Sequence, residues 1–255
     1  MRIRSLLLSL LLILLATGCG DTSSSTGEFG KISYSLHSDF LVEGSELVGI
    51  SILGGHTQQI SVSLTSQGEG DASNPEEIEH VVSPSNGVTI ETTNSSDDIR
   101  YFTITVQDPG DYLIESMLNG QVFDRITLTF DTPSSMDLVT WVRVPNGTDF
   151  TEAIGSPISL DEGAQAAFVP IPLDASGERI AGDFVPVVTA SPDWAVVTGI
   201  NVLGIYEQNV FVARSPASVY FVEPGLIDLT IADGVNGVEG VASFDIAPVQ
   251  VPVGR

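Results

Sequence analysis

Short stretches of alternating apolar and polar residues recur along the chain from residue 32 onward. Ile32, Tyr34 and Leu36 would share one face of a strand, and the same period of two recurs at 60–65 and 102–106. This period is the mark of a half-buried β-strand, because successive side chains point to opposite faces of a sheet. After residue 20 we find no apolar spacing of the kind that a long amphipathic helix requires. The pattern predicts an all-β protein.

Two turn signals place the last strands of the first half. Asn119-Gly120 lies between two apolar runs and predicts a tight hairpin, because both residues tolerate positive φ. Just before it, the Asp-Pro-Gly-Asp-Tyr run at 108–112 resembles the tyrosine corner of immunoglobulin-type domains, in which the Tyr hydroxyl bonds back to the backbone. Ile114 stands where that family would carry its second disulfide Cys. The resemblance implies an immunoglobulin-like β-sandwich over residues 28–131.

The second half carries a related layout. Pro224-Gly225 precedes an apolar strand about 115 residues after the Pro-Gly of the first corner, and that spacing is close to one sandwich domain. Gly163, the Asp-Ala-Ser-Gly turn at 174–177 and the segment at 191–197 resemble bacterial immunoglobulin-like domains of the intimin and invasin type. The resemblance implies a second sandwich over residues 132–250, with 145–157 as an insertion loop. The predicted fold class is therefore all-β, with two tandem immunoglobulin-like β-sandwich domains.

The N-terminus carries a targeting signal. Arg2 and Arg4 precede an apolar run, 6–16, of about eleven residues, which is too short for a membrane-spanning helix of ~20 residues and fits a secretory signal. The run ends in Leu-Ala-Thr-Gly-Cys, and Cys19 is the only cysteine of the chain. This segment resembles the lipobox of bacterial lipoprotein precursors, although Ala16 stands where that family most often has Leu.

The lipobox resemblance implies a removable signal peptide at 1–18, a covalent diacylglycerol lipid on Cys19, and a flexible tether at 19–27. The partner at this end is then a membrane, and the location is the bacterial cell envelope. Gly20, where an Asp would stand in inner-membrane lipoproteins, favours the outer membrane, with the domains facing the periplasm or the cell surface. The alternative is an ordinary signal peptide, which would leave Cys19 as a free thiol.

The net charge of the chain limits the classes of partner that it can bind. It has 9 Lys and Arg against 33 Asp and Glu, a formal net charge of −24. Cleavage after residue 18 would remove two arginines and no acid, which leaves 7 basic residues against 33 and a net charge of −26. Nucleic acid and anionic lipid are both bound through clustered Lys and Arg, so we expect no nucleic-acid partner and no basic lipid-binding patch.

The residues needed for catalysis are sparse. His37, His56 and His80 are the only histidines, and no two of them are spaced as a metal pair. The sequence also has no Gly-x-Ser-x-Gly elbow and no Gly-rich phosphate loop. We therefore predict no catalytic residues and no enzyme. His56 follows two glycines, which predicts a solvated histidine in a loop.

Two candidate binding sites follow from the residues between and within the halves. Asp131 and Asp137 flank the junction and are the candidates for a calcium site, although no EF-hand spacing is present. Trp141 lies opposite Leu138 on its strand. It either faces solvent, where an exposed Trp would contact a glycan or protein, or is covered by the 145–157 loop or the first domain.

Two functions fit these observations. The first is a lipid-anchored cell-envelope protein that acts as a non-catalytic spacer or binding module and needs no cofactor. The alternative is a carbohydrate-binding or calcium-dependent adhesion module, with Trp141 and the junction aspartates making the contact. In either case the protein or glycan partner is set by surface detail.

Overall fold

A computed structural model describes residues 22–38, 46–69, 77–93, 100–191, 196–198, 204–207, 210–214, 217–221 and 223–248. Every regular element in these ranges is a β-strand. Within the same ranges, no helix has the length and apolar character needed to cross a membrane. The predicted all-β class is confirmed.

Two sheets, formed mainly by nine strands, make the first sandwich. One sheet has the order β1-β2-β4-β7-β6, and the other has the order β14-β3-β9-β8-β5, where β14 belongs to the second half of the chain. The nine strands are β1 Thr22–Thr26, β2 Ile32–His37, β3 Ser51–Leu53, β4 Thr57–Leu64, β5 Ile78–Ser83, β6 Val88–Thr93, β7 Arg100–Val106, β8 Gly110–Leu118 and β9 Gln121–Asp131.

The alternating residues of the sequence fill the core between these two sheets. Ile32, Tyr34 and Leu36 of β2 are fully buried, and so are the inward residues of β4 and β7. The predicted hairpin joins β8 to β9, with φ of 50° at Asn119 and 76° at Gly120. The predicted tyrosine corner is also present, because the Tyr112 hydroxyl donates to the Asp108 carbonyl at 2.8 Å.

The described residues of the second half form twelve strands. Two of its sheets have the orders β11-β10-β13-β19-β16 and β12-β21-β20-β15, and β17 and β18 form a separate hairpin. The strands are β10 Ser135–Arg143, β11 Thr151–Ala153, β12 Ile158–Asp161, β13 Gln165–Leu173, β14 Ile180–Ala181, β15 Pro186–Ser191, β16 Val196–Thr198, β17 Gly204–Glu207, β18 Val210–Arg214, β19 Ala217–Tyr220, β20 Gly225–Asp233 and β21 Val238–Ala247.

The second sandwich repeats the topology of the first. The order β10-β13-β19-β16 matches β2-β4-β7-β6, and β12-β21-β20-β15 matches β3-β9-β8-β5. In both sandwiches a short strand pairs in parallel with the last strand, β3 with β9 and β12 with β21. Two sheets with this order and with antiparallel neighbours otherwise are the immunoglobulin arrangement. The chain therefore contains two tandem immunoglobulin-like β-sandwiches.

The prediction of a flexible tether over 19–27 is wrong for residues 22–26. These residues form β1, which pairs with β2 in antiparallel register from Thr22↔His37 to Thr26↔Ser33. The prediction rested on small polar composition, which does not exclude an edge strand, because the ladder bonds come from the backbone and Thr favours strands. Ser23 is buried, and the backbone N–H of Val48 donates to Ser25 Oγ at 3.0 Å.

The two sandwiches meet at their ends. Ser51 and Ile52 of β3 pair in parallel with Ile180 and Ala181 of β14. Leu53 packs in the core of the second sandwich, and Ala181 packs in the core of the first. Because β9 ends at Asp131 and β10 begins at Ser135, residues 132–134 form the covalent link. The division of the chain into domains at 28–131 and 132–250 stays a prediction.

Candidate functional site

A tight turn, residues 27–31, joins β1 to β2 and is held in place by one buried carboxylate. Asp124 of β9 accepts hydrogen bonds from the backbone N–H groups of Phe29, Lys31 and Ile32, each at 2.8 Å. A Cβ at Gly27 would collide with this carboxylate, so the turn requires glycine there. The turn is therefore fixed against the edge of the opposite sheet, and its side chains project from a rigid base.

The side chains of this turn form two stacked cation–aromatic pairs. The guanidinium of Arg125 lies 5.3 Å from the Phe29 ring centre, and Lys31 Nζ lies 4.7 Å from the Phe123 ring centre. Arg125 Nε also donates to the Glu28 carboxylate at 2.7 Å. Phe29 remains 45% exposed. The turn therefore offers an aromatic surface whose neighbouring charges largely neutralise each other.

A groove continues from the turn along β1. It has a volume of about 560 Å³ and is lined by hydroxyl groups of β1, β2 and β9, by Arg125, and by Glu28, Glu46 and Val48. Val48 is 49% exposed. We call this surface the β1 flank and define it by the groove together with Phe29 and Lys31. Two acids and two bases lie on it, so it is close to neutral in a strongly acidic protein.

A second polar cluster lies inside the first sandwich. Ser116 Oγ is 2.6 Å from the Tyr34 hydroxyl and 3.0 Å from His80 Nδ1. Ser116 and Tyr34 are fully buried, and the His80 ring packs at 4.7 Å from the Phe102 ring. A serine bonded to a histidine is the pairing used in nucleophilic catalysis, but this serine has no solvent contact. The geometry favours a structural role for the cluster.

Burial sets the protonation of this cluster. Removal from water, together with the charge of Arg100, lowers the pKa of His80 from 6.5 to about 4. Burial likewise raises the pKa of Tyr34 well above its usual value, against the opposing effect of its bond to Ser116. His80 Nε2 is buried without a hydrogen-bond partner among the described residues. His80 is therefore neutral at physiological pH, and its protonation would place an uncompensated charge in the core.

The third cluster connects the two sandwiches. His56 Nε2 lies 2.8 Å from Oδ1 of Asp233, which is fully buried at the end of β20. The Asn236 side chain donates both to Asp233 Oδ2 at 2.8 Å and to the Gly54 carbonyl at 3.1 Å. The predicted solvated His56 is wrong, because its side chain is only 11% exposed. The sequence cannot show that a turn 177 residues away covers this loop.

The Asp233 carboxylate is held in its charged form. Burial acts to raise its pKa, but hydrogen bonds from Asn236, His56 and the backbone N–H groups of residues 235 and 236 outweigh burial, so the pKa lies below the usual 3.8. Beside it, the Gln58 amide donates to the carbonyls of Leu53 and Asp183 and accepts from the Asp183 N–H at 2.8 Å. These bonds satisfy the polar groups that the junction buries.

Trp141 is not the exposed residue that a ligand contact requires. Its side chain is 8% exposed and packs with Ala167, Val139, Val169 and Phe150. Leu138 and Val142 face the core on the other side of β10, as their alternation predicts. Phe150 belongs to the predicted insertion loop, part of which forms β11 and pairs with β10. The hypothesis of a solvent-exposed Trp141 is therefore wrong, and the alternative of cover by the 145–157 loop is confirmed.

The junction aspartates are occupied by local bonds. Asp131 Oδ1 accepts from the N–H of Thr132 at 2.7 Å, and Asp137 Oδ1 accepts from the N–H of Leu138 at 2.9 Å. Within the part of the chain that the structure describes, no group of three His, Cys, Asp or Glu side chains is arranged to hold a metal. Calcium binding by Asp131 and Asp137 stays a hypothesis. Cys19 and the signal segment lie outside the described residues.

Sequence reasoning missed Ser116, Asp233 and Asp124, and all three carry a detectable signal. Ser116 continues the inward row of Tyr112 and Ile114 on β8, and Asp233 continues the inward row of β20. A polar residue in an apolar row predicts a buried hydrogen-bonded group. Asp124 carries the same signal, because it continues the inward row of Ile126, Leu128 and Phe130 on β9.

No family model and no curated protein matches this chain. Among solved structures, the Escherichia coli adhesin FdeC aligns at 14% identity over 88% of this chain and 66% of its own, with a TM-score of 0.29. Domains 5–6 of the S-layer protein SbsC align at 13% over 90% of this chain and 100% of theirs, with a TM-score of 0.31. InvD of Yersinia pseudotuberculosis aligns at 12% over 82% of this chain and 58% of its own, with a TM-score of 0.30. The chain thus spans two thirds or less of the adhesin and InvD chains. These TM-scores are too low for the similarities to support a conclusion about this chain.

Proposed function

We propose that this chain is a lipid-anchored, non-catalytic module of the bacterial cell envelope, in which two immunoglobulin-like sandwiches act as one binding or spacing unit. The junction is the observation that carries this proposal. Each sandwich contributes a residue to the other's core, a strand pair crosses the boundary, and the buried Asp233 carboxylate is bonded to His56 from the other side. Such a junction favours a fixed relation between the two sandwiches.

The non-catalytic part of the proposal is supported by the one nucleophile–base pair that we identify in the described residues. Ser116 and His80 are the residue types of a catalytic serine–histidine pair, but Ser116 is fully buried in the core. A general base must reach the proton that it removes, and no substrate can reach this serine without unfolding the sandwich. The pair is better explained as a satisfied polar contact.

The lipid anchor is supported by the sequence of the N-terminal segment. The positive residues and the short apolar run fit a secretory signal, and the small residues before Cys19 resemble a lipobox. Stable attachment to a bilayer needs more than one acyl chain, and a diacylglycerol on Cys19 supplies two.

Acylation can be tested in the native host or a related bacterium with an alkyne fatty acid. We expect the wild-type chain to incorporate the label and to enter the membrane fraction. Cys19→Ser keeps the signal segment but removes the only thiol, so it should lose both the label and the membrane fractionation. Equal labelling of both chains would refute the anchor.

The side of the membrane can be tested by digestion of intact cells. A broad-specificity protease is required, because the chain after residue 18 offers only Lys31 and six arginines to trypsin. Digestion with the outer membrane intact would place the sandwiches on the cell surface. Protection until that membrane is broken would place them in the periplasm, and protection even then would contradict an envelope location.

The alternative function, a carbohydrate-binding or calcium-dependent adhesion module, has lost the aromatic residue that supported it. Trp141 is covered by Phe150 and cannot stack on a sugar ring in this arrangement. A rise in the melting temperature on addition of calcium, abolished by Asp131→Asn and Asp137→Asn, would support the function of a calcium-dependent adhesion module.

A further inference from the structure

The lipid anchor of the proposed function has little length in which to move. β1 begins at Thr22, so only Gly20 and Asp21 separate it from Cys19. Three residue steps of at most ~3.6 Å each allow about 11 Å between the Cys19 and Thr22 Cα atoms. The acylated residue is therefore confined to the neighbourhood of Thr22 for as long as β1 stays paired with β2.

Thr22 lies on the side of the first sandwich and close to the junction. It pairs with His37, which pairs with Gln59 of β4, so two strand spacings of about 10 Å in all separate Thr22 from Gln59. Gln58, next to Gln59, bonds directly to Asp183 of the second sandwich. The N-terminal segment before Thr22 therefore leaves the fold beside the junction between the two sandwiches. A lipid anchor at this position cannot hold the first sandwich perpendicular to the membrane with the end opposite the junction resting on the lipid.

The β1 flank begins at Ser24, two residues after this exit point, and runs to the far end of the first sandwich. The backbone N–H of Val48 donates to Ser25, the fourth of the five residues of β1, and Phe29 and Lys31 lie in the turn beyond Thr26. Phe29 and Val48 are the exposed apolar side chains of the flank, at 45% and 49%. Binding to a membrane surface strengthens with the apolar area that is buried at the boundary of headgroups and acyl chains. Because the local charges balance, the flank is also less repelled by anionic headgroups than a surface of acids would be.

We propose that the first sandwich lies lengthwise on the membrane, with its β1 flank against the lipid headgroups. This inference rests on the proposed lipid anchor. The occupant of the flank is a bilayer surface, held there by the short chain between Cys19 and Thr22 and stabilised by burial of Phe29 and Val48. The opposite face of the sandwich, which includes Val81 of β5, then points away from the membrane.

The position of the far end distinguishes this arrangement from a raised one. Asn119 lies in the hairpin at the end of β9 opposite the junction, and the 11 residues of β9 make the sandwich about 36 Å long. We would introduce Asn119→Cys in the acylated chain, where the lipid occupies the native thiol, and attach a donor fluorophore. Energy transfer to acceptor headgroups in phosphatidylcholine vesicles then measures the height of the hairpin.

We expect the donor to lie at less than half of this ~36 Å length above the lipid. Phe29→Ala combined with Val48→Ser should at least double that height without detaching the chain. Val81→Ser is the matched control, because Val81 is 50% exposed on a face turned away from the flank, and it should leave the height unchanged.

Two failures are separable in this experiment. A wild-type chain that carries no acyl group and does not float with vesicles would overturn the proposed function and this inference together. An acylated, vesicle-bound chain whose hairpin stands a full sandwich length above the lipid would overturn the inference alone. A low hairpin that does not respond to Phe29→Ala and Val48→Ser would also overturn it, because the flank would then not be the contact.

Discussion

His56 Nε2 lies 2.8 Å from Oδ1 of Asp233, and this contact joins the ends of the two sandwiches. Asp233 is fully buried and also accepts two backbone N–H bonds and one from the Asn236 amide. The carboxylate therefore serves two purposes: it fixes the turn between β20 and β21 and it holds the histidine of the neighbouring sandwich.

The first prediction concerns this pair. We expect Asp233→Ala to lower the free energy of unfolding by about 3 kcal/mol, because it leaves several buried donors without an acceptor. His56→Ala should cost less, about 1.5 kcal/mol, since it removes one bond to a charged group. Urea denaturation of both variants and of the double variant measures the coupling energy. The pair would be no junction contact if the two losses simply added.

The second prediction is a loss of stability in mild acid through His80. The pKa of His80 is about 4 in the folded protein, and the ordinary value of 6.5 applies to the unfolded chain. The unfolded chain therefore takes up the proton first as the pH falls. Stability is then complete above pH 6.5 and declines toward pH 4. Between pH 7 and pH 5 we expect a loss of about 2 kcal/mol from this group.

His80→Gln provides the control for that prediction. Glutamine can still bond to Ser116 but does not titrate, so the variant should lose less stability than the wild type over the same pH range, whatever its stability at pH 7. Carboxylates with lowered pKa, such as Asp233, contribute only at lower pH. Parallel pH profiles for the two proteins would show that His80 is not buried in its neutral form.

Much of the fold could be predicted because it depends on local pattern. Alternation fixed which residues of β2, β4 and β7 face inward, and the requirement for positive φ located the hairpin at Asn119 and Gly120. The tyrosine corner is equally local, since Tyr112 bonds to a carbonyl only four residues away. Such features are decided within one strand or one turn.

The features that could not be predicted depend on contacts between distant segments. Trp141 alternates as an outward residue and does face away from the core of its sandwich, but Phe150 covers it. Residues 22–26 have the composition of a linker and become a strand because β2 offers a free edge. His56 looks like a loop residue until Asp233 is placed beside it.

The third prediction tests the tyrosine corner. Tyr112→Phe removes the hydroxyl that bonds to the Asp108 carbonyl at 2.8 Å but keeps the ring that packs edge-on against Phe130. We expect the free energy of unfolding to fall by about 1 kcal/mol, the usual net value of such a bond. Chemical denaturation at neutral pH measures the change. An unaltered midpoint would mean that the hydroxyl bond adds nothing to stability.

The fourth prediction follows from the net charge. With 33 acidic residues against 9 basic ones, repulsion within the folded chain should weaken as salt screens it. We expect the melting temperature to rise between low and moderate NaCl concentration. Potassium chloride at equal ionic strength should give the same rise, because the effect is screening. A midpoint that stays level or falls with added salt would contradict this account.

The last prediction separates a structural Trp141 from a ligand-binding one. Trp141 fills the space between Phe150 and Ala167, so Trp141→Ala should lower the free energy of unfolding by about 3 kcal/mol. Phe150→Ala should cost less but should expose the indole, which would shift Trp fluorescence to longer wavelength. Trp194 also fluoresces, so the shift is read as a difference between Phe150→Ala measured with Trp141 and with Trp141→Phe. An unchanged spectrum together with an unchanged stability would show that the loop does not cover Trp141, and its outward face would again be open to a partner.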